Sequence, residues 1–446
     1  MLRSKLSSII ALVLAAGCGE VTGNPLVTLD ATSGVDAANA QDAGGFADAM
    51  EISDAMLDAG SVSDSGAPMD AAPGTDAAPA SDAAPGPDAT AADAAEPADS
   101  GTPTSDGGAA PGLPRLVVSS ANGLSWWDGA GQLHADRAPD VAMPFQSPPL
   151  AIGALAVDGD RLFFGVPGPG YGIGVVDQAR SLRAPASRLV AAAGLRVTGL
   201  GAGQGHLFAM SESNPCDPLA CVGLRIFDGS QSLAPGSAPR ANLFHPWGQM
   251  PTFAWDSGSE RVFAGQISGA GLIAWNATAT RSGDLANDFQ VDPGAYWGLA
   301  IDGGRLFATG DRSGSHSSGL AIWDDVAHLT GPMAPAVILS SGFPARQTFL
   351  PSVTVRHDQM AVAVRDEGQV FIYTQVAGIH ADRAPDRIIT DPAMTRPRKA
   401  LFDVQGRLYV LDDDGVLIFD NGLAGWSLAA KIVSGISMPA DIALVE

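Results

Sequence analysis

Short hydrophobic segments alternate with polar turns along the C-terminal three quarters of the chain, and one six-residue pattern recurs among them. In its clearest copy, Gly319-Leu-Ala-Ile-Trp-Asp324, a glycine and four apolar residues end on an aspartate. Seven such copies end at positions 128, 177, 228, 276, 324, 374 and 420, at steps of 49, 51, 48, 48, 50 and 46 residues. A nearly constant period close to 50 residues is typical of a repeat architecture.

Each repeat predicts four short β-strands. A first strand such as Gly298-Leu-Ala-Ile-Asp302 is followed by a glycine turn and a second strand such as Arg305-Leu-Phe-Ala308. The recurring pattern forms the third strand, and a proline-bearing loop leads to a fourth, such as Arg387-Ile-Ile-Thr390. Short apolar runs separated by Gly and Asp favour antiparallel hairpins, and no long apolar stripe of helical period competes with them. Seven such repeats predict an all-β fold, a seven-bladed β-propeller of four-stranded antiparallel blades over residues 115–446.

The two ends of this domain predict how the ring closes. After Leu113-Pro114 the domain begins directly at a second-strand pattern, Arg115-Leu-Val-Val-Ser119, so that a first strand is missing there. An extra first strand, Pro439-Ala-Asp-Ile-Ala-Leu-Val-Glu446, follows the seventh repeat. We expect this C-terminal strand to complete the first blade, because a closed ring hides strand edges that would otherwise invite aggregation.

A second motif, His134-Ala-Asp-Arg-Ala-Pro-Asp140, recurs without change as His380-Ala-Asp-Arg-Ala-Pro-Asp386. The alternation of Gly-Leu-x-hydrophobic-aromatic-Asp with Ala-Pro-Asp before a short strand resembles the NHL-like repeats of bacterial propellers. The resemblance covers all seven repeats and implies the propeller fold. Propellers of this kind include lyases, lactonases and quinoprotein dehydrogenases, but the resemblance places no catalytic residue in this sequence, and a fold alone does not set a function.

Residues 1–18 have the pattern of an export signal. Arg3 and Lys5 precede a short apolar core, Ile9–Leu14, which is too short for an ordinary membrane span. The end of the segment, Leu14-Ala-Ala-Gly-Cys18, resembles a bacterial lipobox, in which the cysteine becomes the lipid-bearing first residue. We therefore predict a lipoprotein signal peptide, lipidation of Cys18 with palmitate among the acyl chains, and a position in the cell envelope. Gly19 after the cysteine favours the outer membrane; a cleaved signal peptide with an incidental cysteine is the alternative.

Composition separates residues 19–114 from the repeats. This segment contains 17 Asp or Glu, no Lys or Arg and one aromatic residue, Phe46, and repeats Asp-Ala around Pro, Gly and Ser. Such a composition cannot bury enough apolar surface to offset the entropy of ordering, so we predict a disordered acidic tether. The repeats carry 31 acidic and 23 basic residues, a balance of −8. No basic footprint for nucleic acid is present in either part.

Four observations bear on chemistry within the repeats. The third-strand aromatics Trp127, Phe227, Trp275, Trp323, Tyr373 and Phe419 are expected in the core, and the aspartates that follow are expected to accept backbone N–H bonds in the next turn. Cys216 and Cys221 would form a local disulfide in an oxidising compartment. The seven histidines are scattered without metal-ligand spacing, and no nucleophile elbow or phosphate loop is present, so we predict no metal, no cofactor and no assignable catalytic residue. The run Asp412-Asp-Asp414 lacks the alternating ligand spacing of a calcium loop and is expected at a polar hairpin tip.

The repeats also act as an internal alignment. Loops joining strands one to two and three to four are recognisably repeated, whereas loops joining strands two to three and four to one vary, and antiparallel alternation places both variable sets on one face. Binding concentrates in loops on a rigid scaffold. The residues expected to line a pocket on this face are Phe145, His245, Trp247, Arg346, Phe349, Arg396 and Arg398.

Together these features favour a monomeric, lipid-anchored, non-enzymatic binding module whose protein or glycan partner contacts the variable loops. The alternative is an exported propeller enzyme of the lyase, lactonase or dehydrogenase type with a site at the channel mouth, and a third possibility is a structural spacer. Several inward carboxylates or amides around one point would favour the enzyme. A channel lined by Ala, Gly and Val would favour the binding module.

Overall fold

A computed structural model describes residues 114–144, 153–166, 172–183, 187–191, 195–213, 222–244, 250–266, 271–311, 318–344, 349–423 and 425–446. The chain divides into two units, Met1–Asp99 and Ser100–Glu446, and all described residues belong to the second. The predicted signal peptide, Cys18 and the acidic tether lie outside the described residues and stay predictions. No helix among the described residues is long and apolar enough to cross a membrane.

The described residues form seven antiparallel sheets, numbered here as blades in chain order, and this confirms the predicted propeller. Blade 1 contains β1 (Arg115–Ser120), β2 (Gly123–Trp127) and β3 (Val141–Pro144). Blade 2 contains β4 (Leu155–Asp158), β5 (Arg161–Val166), β6 (Gly172–Asp177) and β7 (Arg188–Ala191). Blade 3 contains β8 (Leu195–Gly203), β9 (His206–Ser213), β10 (Val222–Asp228) and β11 (Ala241–Phe244).

The remaining blades repeat this arrangement. Blade 4 contains β12 (Thr252–Asp256), β13 (Arg261–Gly265), β14 (Leu272–Trp275) and β16 (Phe289–Asp292), with β15 (Gly283–Ala286) between the last two in sequence. Blade 5 contains β17 (Ala295–Asp302), β18 (Arg305–Asp311), β19 (Ser318–Trp323) and β20 (Val337–Leu339). Blade 6 contains β21 (Val353–Arg356), β22 (Gln359–Val364), β23 (Gln369–Thr374) and β24 (Arg387–Thr390). Blade 7 contains β25 (Lys399–Phe402), β26 (Leu408–Asp412), β27 (Gly415–Gly422) and β28 (Gly425–Ile432).

The last strand, β29 (Pro439–Val445), joins blade 1 and closes the ring as predicted. It pairs antiparallel with β1, so that Arg115 lies opposite Val445 and Ser119 lies opposite Asp441. One feature was not predicted. Strand β15 leaves blade 4 and pairs in parallel with β11, which gives blade 3 a fifth, outermost strand.

Seven hydrophobic clusters fill the seven junctions between neighbouring blades. The third-strand aromatics lie in these clusters and are at most 2% exposed, which confirms their predicted place in the core. Three of them also satisfy a polar atom, since the indole N–H groups of Trp127, Trp275 and Trp323 donate to backbone carbonyls ten residues further on. Packing between blades therefore explains the aromatic residue of six repeats, and Val176 fills the same place in blade 2.

In five of the seven blades, an arginine at or just before the start of the second strand donates hydrogen bonds to backbone carbonyls of the next blade. Arg407, at the start of the second strand of blade 7, pairs with Asp420 and donates to the carbonyls of Ala130 and Leu133 in blade 1, at 2.8 and 2.9 Å. The equivalent donors in the other four blades are Arg115, Arg161, Arg261 and Arg305. We call these five side chains the arginine latches.

The latches change the interpretation of the third-strand aspartates. Backbone N–H groups were the expected partners, but Asp324 instead pairs with its latch Arg305 at 2.6 Å. The backbone N–H at the end of a third strand is bound by a different aspartate, the one that precedes the fourth strand: Asp140 accepts from Asp128 at 2.6 Å, and Asp386 accepts from Thr374 at 2.7 Å.

Among the described residues, four of the five short 3₁₀ helices form turns that follow third strands. They are Ala130–Gln132, Ser230–Ser232, Val326–His328 and Val376–Gly378, and the fifth, Arg365–Glu367, lies between the second and third strands of blade 6. We call the side of the ring that carries the one-to-two turns and three-to-four loops the latch face. The side that carries the two-to-three and four-to-one loops is the mouth face.

The duplicated seven-residue motif is a clamp between blades. Asp136 accepts hydrogen bonds from the N–H groups of Val433 and Ser434 and from the Ser434 hydroxyl, across the closing junction. Asp382 makes the same bonds to Ser340 and Ser341. The residue after each bound pair is a glycine with positive φ, Gly435 or Gly342, where a Cβ would approach the motif's proline to 2.9 or 2.7 Å. The motif is therefore structural.

Candidate functional site

The inner strands of all seven blades surround a central cavity of about 350 Å³. Its walls come from the beginnings or middles of β4, β8, β12, β17, β21, β25 and β29. Because each inner strand follows a four-to-one connection, the cavity lies toward the mouth face. The volume falls in the range of pockets for small ligands, of the order of 300–1,000 Å³.

Small and apolar residues make up most of the cavity wall. Gly, Ala, Pro, Thr and Ser predominate, with Leu, Met and Val and two aromatic rings, Phe253 and Trp297. The charged side chains in the wall are Arg398, Lys399 and Asp441. The described part of the wall thus holds one carboxylate rather than a ring of them.

That carboxylate already binds two neighbouring blades. Lys399 Nζ lies 2.6 Å from Asp441 Oδ1, and the backbone N–H of Leu155 donates to Asp441 Oδ2 at 2.7 Å. Asp441 is on β29 of blade 1, Lys399 is on blade 7 and Leu155 is on blade 2. Asp441 therefore fastens the closing strand on both sides, and its side chain is only 12% exposed.

The opposite end of the channel is also crossed by the closing segment. Glu446 pairs with Arg356, with oxygen–nitrogen distances of 2.8 and 2.5 Å, and accepts the backbone N–H of Val404 at 3.1 Å. These contacts link blade 1 to blades 6 and 7 at the latch-face end of their inner strands. The open cavity and the closing ion pair thus lie at opposite ends of the same channel.

The structure brings together three of the residues predicted for the pocket. Phe349 packs edge-to-face on Trp297, with ring centroids 5.4 Å apart, and Trp297 lines the cavity. Arg398 also lines it, and Arg396 lies two residues earlier with an exposed side chain. Outside the described residues, and so still predictions, are Phe145, His245, Trp247 and Arg346, together with the predicted disulfide of Cys216 and Cys221.

Sequence reasoning missed three residues of this region, namely Trp297, Lys399 and Arg365. Trp297 could have been found, because it begins a first strand and would face the channel in any propeller. Arg365 belongs to a short two-to-three turn that looked unremarkable in sequence. Its guanidinium lies over the ring of Phe349, 5.6 Å from the centroid.

Burial and several charged neighbours change the pKa of the Arg365 guanidinium. Partial burial lowers the pKa of its guanidinium, and the nearby charges of Arg398 and Arg396 lower it further, while Asp413 and Asp366 act in the opposite direction. Its Nε atom is buried and has no hydrogen-bond partner. Like charges held close together disfavour the charged form, so this corner of the mouth favours an added anion.

Three consecutive aspartates position the arginines. They form the tip of the β26–β27 hairpin, as predicted. Asp412 is fully buried and accepts the N–H groups of Thr395 and Arg396, at 3.0 and 2.6 Å. Asp413 pairs with Arg398 at 2.6 Å, and Asp414 pairs with Lys431 at 2.8 Å. Within the described ranges, no group of three or more His, Cys, Asp or Glu side chains has the arrangement of a metal site.

Comparisons with known proteins support the fold. No protein-family model matches the chain. No curated protein matches it either. Among solved structures, the periplasmic gluconolactonase of Pseudomonas aeruginosa is similar with a TM-score of 0.53 and 15% identity, over 75% of this chain and 99% of that one. The WD40 β-propeller domain of Doa1 is similar with a TM-score of 0.49 and 13% identity, over 70% of this chain and 91% of that one. At 15% identity the likeness to the gluconolactonase is one of fold alone, and it agrees with the seven-bladed β-propeller that the described residues form.

Proposed function

We propose that this protein is a lipid-anchored cell-envelope propeller that acts as a non-enzymatic binding module and takes its ligand at the mouth face. The observation that carries the proposal is the central cavity. Seven inner strands build it, its described wall is mainly small and apolar, and its one carboxylate, Asp441, is engaged by Lys399 and Leu155. Such a wall offers shape and a few polar contacts, which suits recognition.

The proposed location in the cell envelope is based on the sequence. The basic start, the apolar core and the lipobox-like ending at Cys18 support export and lipidation, and the acidic segment after it supports a tether between membrane and propeller. Several acyl chains on one residue give stable anchoring, at about 0.8 kcal/mol for each buried methylene. The proposed position is the outer membrane, with the propeller as a monomer.

Filling the cavity tests the binding role. Thr198 lines the cavity and has an exposed side chain, so Thr198→Trp should occupy the space without disturbing the core. Ser282→Trp places the same side chain at an exposed position on the latch face and serves as the control. The full chain and the Ser282→Trp variant should retain the same ligand from an envelope extract, detected by native mass spectrometry, and Thr198→Trp should lose it. Equal retention by all three proteins would contradict the proposal.

The enzyme alternative depends on the same cavity, where Lys399 and Asp441 are the polar pair that could move a proton. It predicts turnover of a retained ligand, with product accumulating over time and Asp441→Asn abolishing it. The binding role predicts that the ligand is recovered unchanged. Mass analysis of the ligand after prolonged incubation therefore separates the two functions.

The anchor is tested separately. Labelled palmitate should be incorporated into the full chain and not into a Cys18→Ala variant, and only the unsubstituted chain should sediment with membranes. Label in both proteins, or in neither, would refute lipidation at Cys18.

A further inference from the structure

We propose, on the basis of the binding function above, that the cavity takes an acidic saccharide, with the sugar ring against Trp297 and the carboxylate bound by Arg365, Arg396 and Arg398. The three arginines come from two separate segments of the chain, the turn after β22 and the connection between β24 and β25. Arg398 lines the cavity, and Arg365 lies over the ring of Phe349, which packs on the cavity residue Trp297. Arg396 lies two residues before Arg398 and is exposed.

Within the described residues, two of these cations make no direct ion pair. Arg398 pairs with Asp413, but the side chains of Arg365 and Arg396 make no ion pair or hydrogen bond with the described part of the chain. The surrounding domain is acidic, with 31 acidic and 23 basic residues over positions 115–446, so carboxylates are abundant. A cluster of three arginines in which the described residues give only Arg398 a direct ion pair points to an anion supplied from outside.

The arginine fork selects the kind of anion. A guanidinium presents parallel N–H donors that match the two oxygens of a carboxylate, and such charge-assisted pairs are short and directional. The Arg365 Nε atom is buried and has no hydrogen-bond partner among the described residues, and an anion bound beside the exposed part of the cluster would relieve the repulsion from Arg396 and Arg398.

The wall beside the arginines suits a sugar ring. Trp297 is 91% buried, is held by the edge-to-face contact with Phe349, and still reaches the cavity, so it offers a fixed flat surface. The hydroxyl-bearing residues Thr198, Thr252 and Ser352 line other parts of the wall. The Ser352 hydroxyl is buried and has no hydrogen-bond partner among the described residues. A ring with hydroxyls around its edge and one carboxylate satisfies all three features within about 350 Å³.

Calorimetric titration of the full chain tests this ligand class. The probes are the acidic sugars D-glucuronate, D-galacturonate and N-acetylneuraminate, the neutral D-glucose and D-galactose, and inorganic phosphate. At least one acidic sugar should bind about tenfold or more tightly than its neutral counterpart and than phosphate, because a charge-assisted pair is lost in the first case and the ring contact in the second.

Variants then locate the site. Arg396→Ala removes an exposed side chain without a structural contact and should weaken the acidic sugar severalfold, and Arg365→Ala with Arg396→Ala should weaken it about tenfold or more. Arg387→Ala, which removes an exposed arginine from the outer strand of the same blade, is the matched control and should change nothing. Unchanged thermal melting of Arg396→Ala keeps the test valid if the double variant folds poorly.

Each other outcome overturns the inference. Phosphate bound as tightly as the best acidic sugar would indicate a bare oxyanion site, and acidic sugars bound no better than neutral ones would remove the role of the arginines. If these titrations fail while Thr198→Trp still abolishes ligand retention and Ser282→Trp does not, the ligand class is wrong and the binding function stands. If neither experiment discriminates, both proposals fail.

Discussion

The latch face and the mouth face are built from the same seven repeats, yet the repeats treat them differently. On the latch face, an arginine at or just before the start of five second strands donates to carbonyls of the next blade. Two three-to-four loops also carry copies of one motif, whose Asp136 and Asp382 bind the residues that follow the fourth strand of the preceding blade. On the mouth face, the residues that line the cavity differ from blade to blade and include glycine, threonine, serine, aromatic and charged residues, with no shared pattern.

Burial separates the arginines of the two faces. The latch side chains of Arg115, Arg305 and Arg407 are at most 11% exposed, whereas Arg398 at the mouth is 36% exposed and Arg396 is exposed. A buried guanidinium bonded to several carbonyls belongs to the fold, because removing it leaves those carbonyls unsatisfied. The latches, repeated in five of the seven blades, make one face rigid, and that rigidity permits the other face to vary.

Removal of the closing strand should have the largest effect. Deleting residues 439–446 takes away β29, the Asp441 bonds to blades 7 and 2 and the Glu446 pair with Arg356. Blade 1 would keep an unpaired inner edge, so we expect no cooperative melting transition and aggregation of the protein. An eight-residue deletion of positions 91–98, outside the ring, is the control and should melt like the intact chain. Calorimetry that shows the same transition for both deletions would break the picture of a closed ring.

A single latch should have the next largest effect. Arg407→Ala strands the carbonyls of Ala130 and Leu133 at the closing junction, and we expect a loss of about 2–4 kcal/mol in the free energy of unfolding, measured in urea. Arg396→Ala at the mouth should change stability by no more than about 0.5 kcal/mol. Equal losses from the two substitutions would show that the buried latch arginines and the exposed mouth arginines do not differ in their contribution to stability.

The aspartate clamps predict a smaller effect that depends on pH. Slight burial would raise the pKa values of Asp136 and Asp382, but the hydrogen bonds from Ser434 and Val433, and from Ser340 and Ser341, hold both below the usual value. A lowered pKa in the folded state stabilises the protein above the unfolded pKa of about 4, and that contribution is lost as the pH falls through the folded value.

Unfolding of the Asp136→Asn, Asp382→Asn double variant checks this sign. Its stability deficit relative to the intact chain should be about 1 kcal/mol or less per clamp at pH 7, since both carboxyls are largely solvated, and should shrink below pH 4. A deficit that grows in acid would contradict the direction of the pKa shifts.

The contrast between the faces also explains what the sequence could predict. Period, strand order, closure by residues 439–446 and burial of Trp275 or Trp323 follow from features present in several copies, which compensate for the lack of an alignment. The hairpin tip at Asp412–Asp414 was predicted from its polarity alone. What these aspartates do, holding the Arg396–Arg398 segment, depends on a neighbouring loop and was not visible in sequence.

The contacts between blades were the main feature that could not be predicted from the sequence. Arg305, Arg407 and the terminal aspartates were all noticed as repeated residues, but the acceptors of each arginine lie 71 to 277 positions away along the chain. Strand β15 was missed for a similar reason, because its partner β11 belongs to the preceding blade. At the mouth, Arg365 gains its meaning only from Phe349 and Arg398, which the ring brings beside it.

The smallest predicted effect tests whether the repeated core position of the third strand requires any property other than a side chain that fills the space between blades. The hydroxyl of Tyr373, in the third strand of blade 6, is buried without a hydrogen-bond partner, and burial, with Asp382 nearby, raises the pKa of the phenol. Five other blades place Trp or Phe there and blade 2 places the equally buried Val176, so the repeat requires an apolar side chain that fills the core and not a hydroxyl. Tyr373→Phe should therefore leave the unfolding free energy unchanged or raise it by up to about 1 kcal/mol, since an unsatisfied polar group is removed.

Tyr409 is the matched comparison for Tyr373, because it is equally buried but its hydroxyl donates to the fully buried Asp403 at 3.0 Å. Tyr409→Phe deprives that carboxylate of a donor and should cost about 1–3 kcal/mol in the same urea titration. Opposite signs for two substitutions that remove the same atom would show that packing alone fixes position 373, whereas position 409 also depends on a specific bond. A loss of stability in Tyr373→Phe would instead mean that the Tyr373 hydroxyl makes a stabilising interaction. The conclusion that the repeated positions serve only packing, and that specific chemistry is confined to the mouth face, would then have to be abandoned.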